Sequence, residues 1–357
     1  MNDKMKAIVE TACGQTEYRD VAVPQIGDDD ILLEVKAAAL CGGDMHSFLG
    51  HQEADHYPIV MGHEFSAVIA AKGKNVGPRW QVGDRVMSEN TGGACGVCKS
   101  CAEGNFVQCA HRKTMGFDVD GCFTKYVKLP GSLLKLYPNC LFHLPDNLSF
   151  EEATGLEAAS NSYMAVVQEG EIKSGETVVV FGCGPLGLMA MAQADIAGAA
   201  RIIAVGMSGD RKVRFDICKQ YGVRYCLAAD EEEDLTGHIL DICGEDGVDL
   251  VIDAAGVPSV TKQAVSIVKY LGKIVRIGYN ARPLDMSLDD IVTKSIRLIG
   301  HHGYNTVSWR NTIALAACGK LSLKPLITHV MPMSEYQNAI EMMNSQDVGK
   351  AVFLPED

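Results

Sequence analysis

The stretch Thr177–Gly187, TVVVFGCGPLG, constrains the fold of this chain more than any other. Thr177–Phe181 is a continuous apolar run of the kind that forms a fully buried strand. Gly182, Gly184 and Gly187 follow in the G-x-G-x-x-G register, and the pattern from Leu186 to Ala197 reads as a helix. The glycines permit a tight turn, close approach of backbone to a pyrophosphate, and close packing of helix on strand. The helix N-terminus adds free amides and a positive dipole. The pattern continues downstream with strands at Arg201–Gly206, Val248–Asp253 and Lys273–Gly278 and a helix at Arg211–Tyr221. Strand and helix in alternation predict an α/β domain with a parallel, doubly wound sheet that binds a dinucleotide.

The end of the second strand sorts the cofactors, because an acidic residue there would hold the adenosine ribose 2′-hydroxyl. Gly206 stands at that place. Without the carboxylate a 2′-phosphate is not repelled, and Ser208, Arg211 and Lys212 lie close enough in sequence to bind one. NADP is therefore expected over NAD, although Asp210 offers an alternative ribose ligand and Arg211 and Lys212 also suit a solvated helix start.

The first third has another texture. Lys6–Val9, Ile31–Ala38, Glu64–Ala71 and Phe123–Leu129 are short apolar or alternating runs separated by turns, as in a β-barrel or β-sandwich. Within it Cys95, Cys98, Cys101 and Cys109 form a C-x2-C-x2-C-x7-C array. Four thiolates this close suit one tetrahedral structural zinc. Two disulfides, an iron–sulfur cluster or unlinked thiols are the competing readings. Ala110 replaces the proline that usually closes a bacterial iron–sulfur run, and the last spacing is longer. A full four-thiolate site braces a loop and does no chemistry. A helix is expected to start near Ser149, where SFEE matches a capping box. After the doubly wound domain, strand Arg297–Gly300, helices Trp309–Ala317 and Ser334–Asn344 and strand Ala351–Leu354 are expected to return to the first domain.

Chemistry is sought instead at Cys41, His63 and Glu64, which border apolar strands with glycines close by. A catalytic zinc takes about three protein ligands and keeps one position open. Cys41 and His63 would supply two. Glu157 sits just before the dinucleotide domain, where a cleft between domains would form, and is the candidate third.

Together these residues resemble the zinc-containing medium-chain alcohol dehydrogenases, and the resemblance runs over essentially the whole chain. It rests on CGGDMH at 41–46, GHE at 62–64, GDRV at 83–86, the four-cysteine lobe and GCGPLG at 182–187. The acidic Glu157, where simple alcohol dehydrogenases carry cysteine, points to the polyol and sugar dehydrogenases such as sorbitol and arabinitol-phosphate dehydrogenase, or to threonine dehydrogenase. The resemblance implies a GroES-like domain over 1–155 with the zinc lobe at about 90–112, a Rossmann domain over 156–298, and a return segment over 299–357. It implies two zinc ions per chain. The catalytic one would be held by Cys41, His63 and Glu157, with Glu64 completing the shell directly or through water. Cofactor contacts would come from Gly182, Gly184, Pro185, Leu186, Gly187, Gly206 and Ile277. The implied reaction moves a hydride from the carbinol carbon of a secondary alcohol to NAD(P), giving a ketone, with zinc as Lewis acid. Simple alcohol and amino-alcohol dehydrogenases are the neighbouring alternatives. A homodimer or homotetramer is usual in the family.

Gly43 stands where relatives often carry the hydroxyl that passes the proton outward, so Asp44, His46, Glu64, a water chain or a neighbouring substrate hydroxyl would take that part, with His46 the expected relay. His301, His302, Tyr304 and Asn305, with Ser88, Glu89, Asn90 and Phe117, are candidates for a polar substrate pocket. The net charge of −13 argues against nucleic acid as a partner. The most apolar stretch, near 178–200, is broken by glycines, Pro185 and Asp195, which argues against a membrane span. Thirteen cysteines, most outside any framework, suit a reducing cytoplasm. A noncatalytic zinc protein that binds dinucleotide is the reading from another class; it would have no use for the Cys41–His63–Glu157 set.

Overall fold

The computed structural model describes residues 3–244 and 247–356. Six parallel strands form one sheet, in the spatial order Tyr225–Ala228, Arg201–Gly206, Thr177–Phe181, Val248–Asp253, Val268–Arg276 and Arg297–Gly300. Val178, Val179, Val180, Ile203, Ala204, Val251 and Ile252 are buried, as an all-parallel sheet covered on both faces demands. The chain begins in a central strand, winds to one edge, and then restarts on the other side at Val248–Asp253. The reversal leaves a crevice beyond the C-terminal ends of Thr177–Phe181 and Val248–Asp253, where ligands bind in such sheets.

Two local expectations are corrected. The strand Tyr225–Ala228 was not anticipated; it is short and borders the acidic run Asp230–Asp234. The helix expected over 211–221 is split into a 3-10 turn, Ser208–Lys212, and a helix, Arg214–Gln220. Asp210 causes the break: its carboxylate accepts from Met207 N at 2.8 Å and caps the turn.

The second sheet is organised around Ile31–Ala39, which pairs antiparallel with Glu64–Lys72, with Tyr126–Leu129 and with the C-terminal strand Lys350–Leu354. Ile327–Pro332 adds parallel to Lys350–Leu354. The last strand thus packs into the sheet of the first third, and Leu40 N donates to Ala351 O at 3.0 Å. That one pairing carries Lys350 to the neighbourhood of Cys41.

Helix Leu156–Tyr163 joins the halves. Ser162 Oγ donates to Leu186 O at 2.8 Å, and Gln193 Nε2 to Ala159 O at 3.3 Å. The cysteine lobe hangs from a two-stranded ladder, Thr91–Gly93 with Lys113–Thr114. No helix among the described residues is long and apolar enough to cross a membrane.

Candidate active site

Cys41 caps the short helix Gly42–Phe48. Its sulfur accepts from Gly43 N at 3.5 Å, and Asp44 Oδ2 accepts from Cys41 N at 2.9 Å, closing a capping box. The other oxygen of Asp44 lies 3.0 Å from His63 Nδ1. One buried carboxylate therefore fixes both the backbone of Cys41 and the ring of His63, and leaves Nε2 free for another partner. Burial alone would lower the His63 pKa, but the negative charges of Asp44 and Cys41 outweigh it and raise it. The glycine before the histidine is required here. Gly62 has φ +90°, and a Cβ on it would meet the Phe123 ring at 2.3 Å.

The ligand atoms of Cys41, His63 and Glu64 lie within 4.8 Å of one another. Glu64 is wholly buried and forms an ion pair through Oε2 with Lys350, which is itself 0% exposed. Glu64 Oε1 has no hydrogen-bond partner among the described residues. Burial, then the charge of Glu64, pushes the Cys41 thiol up. Sulfur, imidazole nitrogen and an orphaned carboxylate oxygen make a donor set that fits zinc; a divalent cation there would satisfy the orphan oxygen and favour the thiolate.

Glu157 stands outside that tight trio but in the same buried pocket. Burial, then the charge of Glu64, pushes its carboxyl up to about 7. Asn90 Nδ2 donates to Glu157 Oε1 at 3.3 Å, and Tyr304 Oη donates to Asn90 Oδ1 at 2.5 Å. Glu89 beside it is also wholly buried and is raised by burial to about 7.

The four cysteines of the lobe bring their sulfurs within 4.8 Å of one another. Cys95 Sγ is 3.5 Å from Cys109 Sγ and 4.0 Å from Cys101 Sγ. These are not disulfide distances, and they bracket the edge of roughly 3.8 Å that a tetrahedron with metal–sulfur bonds of about 2.3 Å requires. Backbone N–H groups of Val97 and Cys98 lower the Cys95 thiol to about 6, while burial raises Cys101 to about 12. The spacing and the N–H donors favour a structural metal over the competing readings.

At the crevice, Gly182 has φ +98°. A Cβ on Gly187 would sit 1.9 Å from Gly182 O, whereas one on Gly184 would meet nothing within 4 Å. Two glycines are thus demanded by packing and the third leaves open space at the N-cap of helix Pro185–Ile196, a cradle that fits a pyrophosphate. Leu186 lies in that first turn, and Ile277 N donates to Asp253 O at 2.9 Å at the neighbouring strand end.

The groups expected to take a 2′-phosphate are engaged elsewhere. Ser208 donates from N and Oγ to Asp230, at 2.7 and 2.6 Å. Arg211 pairs with Glu231 and Lys212 with Asp347. A Cβ on Gly206 would meet Asp210 Oδ2 at 2.5 Å, so the carboxylate missing from the strand end is replaced by one folded back over it. Asp210 itself is held by Arg214 at 3.1 Å.

The expected substrate pocket is only partly assembled. Asn90 and Tyr304 meet beside Glu157, and Phe117 lies 5.4 Å from the His63 ring. Ser88 is turned to backbone oxygens, Asn305 caps helix Thr306–Ala317, and His301 is bound at both nitrogens by Glu169 and Asn161 at 2.6 Å. His46 is exposed, its ring 6.3 Å from that of His51. Sequence reasoning missed Lys350, Arg112, Asp230 and Glu231. No local signal marks Lys350 or Arg112, and the two acids lie in the run Asp230–Asp234, which carries no motif.

The sequence matches the alcohol dehydrogenase GroES-like domain family over residues 27–139 and the zinc-binding dehydrogenase family over residues 185–317. It is 36% identical to an uncharacterized zinc-type alcohol dehydrogenase-like protein of Escherichia coli, YdjL, across 98% of both chains. It is 31% identical to D-arabitol-phosphate dehydrogenase of Enterococcus avium, across 96% of this chain and 95% of that one. The fold superposes on 2R,3R-butanediol dehydrogenase of Bacillus subtilis with a TM-score of 0.87, at 25% identity over 99% and 100% of the two chains. Kinship over the full length, together with a GroES-like half joined to a Rossmann half, places this chain in the zinc-containing alcohol dehydrogenase family.

Proposed function

We propose that this protein oxidises a secondary alcohol of a polyol, sugar or sugar derivative to a ketone, with a nicotinamide cofactor. The observation that carries this reading is the polar, acidic character of the pocket beside Cys41 and His63. The third donor is the carboxylate of Glu157, hydrogen-bonded to Asn90, which in turn meets Tyr304. Such a pocket offers several partners to a substrate with adjacent hydroxyls, where an apolar one would suit a simple alcohol.

In this reading Cys41, His63 and Glu157 hold the catalytic zinc, with Glu64 able to join or leave the set. Zinc, when bound, supplies Lewis-acid stabilisation of a developing alkoxide, and the nicotinamide accepts the hydride. The chain's own work is positional. Asp44 fixes Cys41 and His63 through the hydrogen bonds described above. Lys350 holds the charge of Glu64 in a site closed to water. Asp44 is committed to that task, which leaves exposed His46 as the candidate to pass the proton to solvent. The lobe cysteines hold the structural zinc. The strand pairings support the division into 1–155, 156–298 and 299–357, and a homodimer or homotetramer in the cytoplasm remains the expectation for this family.

For the cofactor we propose the preference opposite to the one expected from the sequence. Ser208, Arg211 and Lys212 are each matched by a carboxylate, and Asp230 and Glu231 would face a 2′-phosphate with like charge. We therefore assign NAD over NADP. A panel of polyols, sugars and amino alcohols with each cofactor, followed by reduced-nicotinamide absorbance, tests both parts. Turnover of polyols with NAD is expected. Absence of activity on every secondary alcohol by zinc-loaded protein would overturn the reaction, and a preference for NADP would overturn the cofactor assignment alone.

A further inference from the structure

The mechanism leaves one cation of the cleft unused. Arg112 lies between the last lobe cysteine, Cys109, and the short strand Lys113–Thr114, at the base of the lobe. Its Nε donates to Thr91 Oγ1 at 3.3 Å, and its Nη2 donates to Asn90 Oδ1. The amide of the same Asn90 donates to Glu157. One asparagine side chain thus spans the guanidinium and the proposed zinc ligand. Two hydrogen bonds and an amide between them keep Arg112 within roughly 8 Å of the carboxylate, the reach of a few carbons along a bound substrate.

Guanidinium has five N–H donors in a planar fork. Two are used. The others find no acceptor among the described residues, and no carboxylate of those residues lies within ion-pair distance. The nearby charges are otherwise spoken for. Glu64 is paired with Lys350, Glu157 belongs to the zinc set, and Glu89 has one oxygen bound by Thr91 N and is pushed by burial toward neutrality. Arg112 is half-buried, and its charge reaches Tyr279 and His302, which are hydrogen-bonded to each other at the outer side of the cleft. The charge of Arg112 also acts on the buried carboxylates Glu89 and Glu157, but it forms no ion pair with either, and three of its N–H donors still face the cleft with room for an anion from outside.

We propose that Arg112 binds a carboxylate or phosphate at the far end of the substrate, with His302 and Tyr279 flanking it. The substrate class is then a hydroxylated acid or a phosphorylated polyol, not a neutral polyol. This rests on the dehydrogenase reading given above and deepens it. A fork of donors on a planar cation recognises either anion bidentately. Asn90, shared between Arg112 and Glu157, sets the spacing between the anion and the carbinol.

The test compares wild type, Arg112→Leu and Arg112→Lys on D-gluconate, sorbitol 6-phosphate and sorbitol with NAD, and measures bound zinc for each. In parallel, binding of the two anions to the protein–NADH complex is followed by the fluorescence of bound NADH. Wild type is expected to favour one of the anionic compounds over sorbitol, and which one identifies carboxylate or phosphate as the ligand. Arg112→Leu is expected to lose about 100-fold more on that compound than on sorbitol, chiefly in KM, with zinc unchanged and anion binding lost. Arg112→Lys is expected to recover part of both. Equal losses on all three compounds, or loss of zinc, would show that Arg112 only braces Asn90 and would overturn the proposal; so would a wild-type preference for sorbitol. Anion binding that needs Arg112, with no oxidation of any compound, would support the anion site and count against the dehydrogenase reading.

Discussion

At the residue scale the site is governed by buried charges that must be matched, and Lys350 and Glu64 are the sharpest case. Both are 0–1% exposed. Removing one partner strands the other, which typically costs about 3–5 kcal/mol, whereas replacing both with neutral groups costs far less. Lys350→Met is therefore expected to be strongly destabilised in denaturant titration, and Glu64→Gln added to it is expected to recover most of the loss. Additive effects of the two changes would show that the pair is not coupled. Asp230 and Glu231 decide a different question. Asp230→Ser with Glu231→Gln is expected to raise the NADP-to-NAD ratio of kcat/KM by at least about 10-fold, because the carboxylates that occupy Ser208 and Arg211 are gone. An unchanged ratio would place the 2′-hydroxyl elsewhere.

Glu89 makes the pH behaviour testable at the same scale. Burial raises its folded-state pKa to about 7, above the ordinary value of 4.5. Between these values the folded state holds a proton that the unfolded chain releases, so its contribution is complete below pH 4.5 and is lost as pH rises through 7. Glu89→Gln should accordingly gain melting temperature relative to wild type at pH 8 and gain less at pH 5. A gain that is the same at both pH values would contradict the assignment.

At the element scale, what the sequence discloses is what a local stretch contains. The glycine turn, the strands Thr177–Phe181, Arg201–Gly206 and Val248–Asp253, and the capping box at Ser149 all have their causes within a dozen residues, and the elements fall at or within a residue or two of where the sequence puts them. The cysteine lobe is legible for the same reason. Lys350, Arg112 and Asp230 are not, because each matters through a partner that only the fold delivers. Lys350 arrives by the pairing of the last strand with Ile31–Ala39, and Arg112 through the ladder of Thr91–Gly93 with Lys113–Thr114. Asp230 arrives in the turn just after the short strand Tyr225–Ala228, whose own sequence carries little sign of it. The 2′-phosphate expectation rests on cations near Gly206 in sequence, and the acids that pair with them are brought there only by the fold. The ladder also makes a prediction at this scale. Cys98→Ser, by opening the lobe, is expected to loosen the ladder and with it Asn90 and Arg112, giving faster proteolysis within 91–114 and a lower melting temperature. Unchanged protease resistance would mean the lobe stands without its metal.

At the scale of the whole molecule, two differently built halves are joined through helix Leu156–Tyr163, which carries Glu157 and packs on the helix of the glycine turn. The Rossmann sheet supplies the glycine cradle, the GroES-like sheet supplies Cys41, His63 and Glu64, and the C-terminal strand closes the latter with Lys350. The family relation sets the kind of chemistry, while its members act on substrates as different as a phosphorylated polyol and a neutral diol, as their names record. The two candidate metal sets are separate in sequence, one of four thiolates and one mixed, and the proposed function gives them separate roles. Metal analysis of purified wild type and Cys41→Ser tests this division most directly. About two zinc per chain in wild type and about one in Cys41→Ser, with alcohol oxidation abolished, is the predicted result. One zinc per chain in both proteins would contradict a catalytic zinc at Cys41, His63 and Glu157.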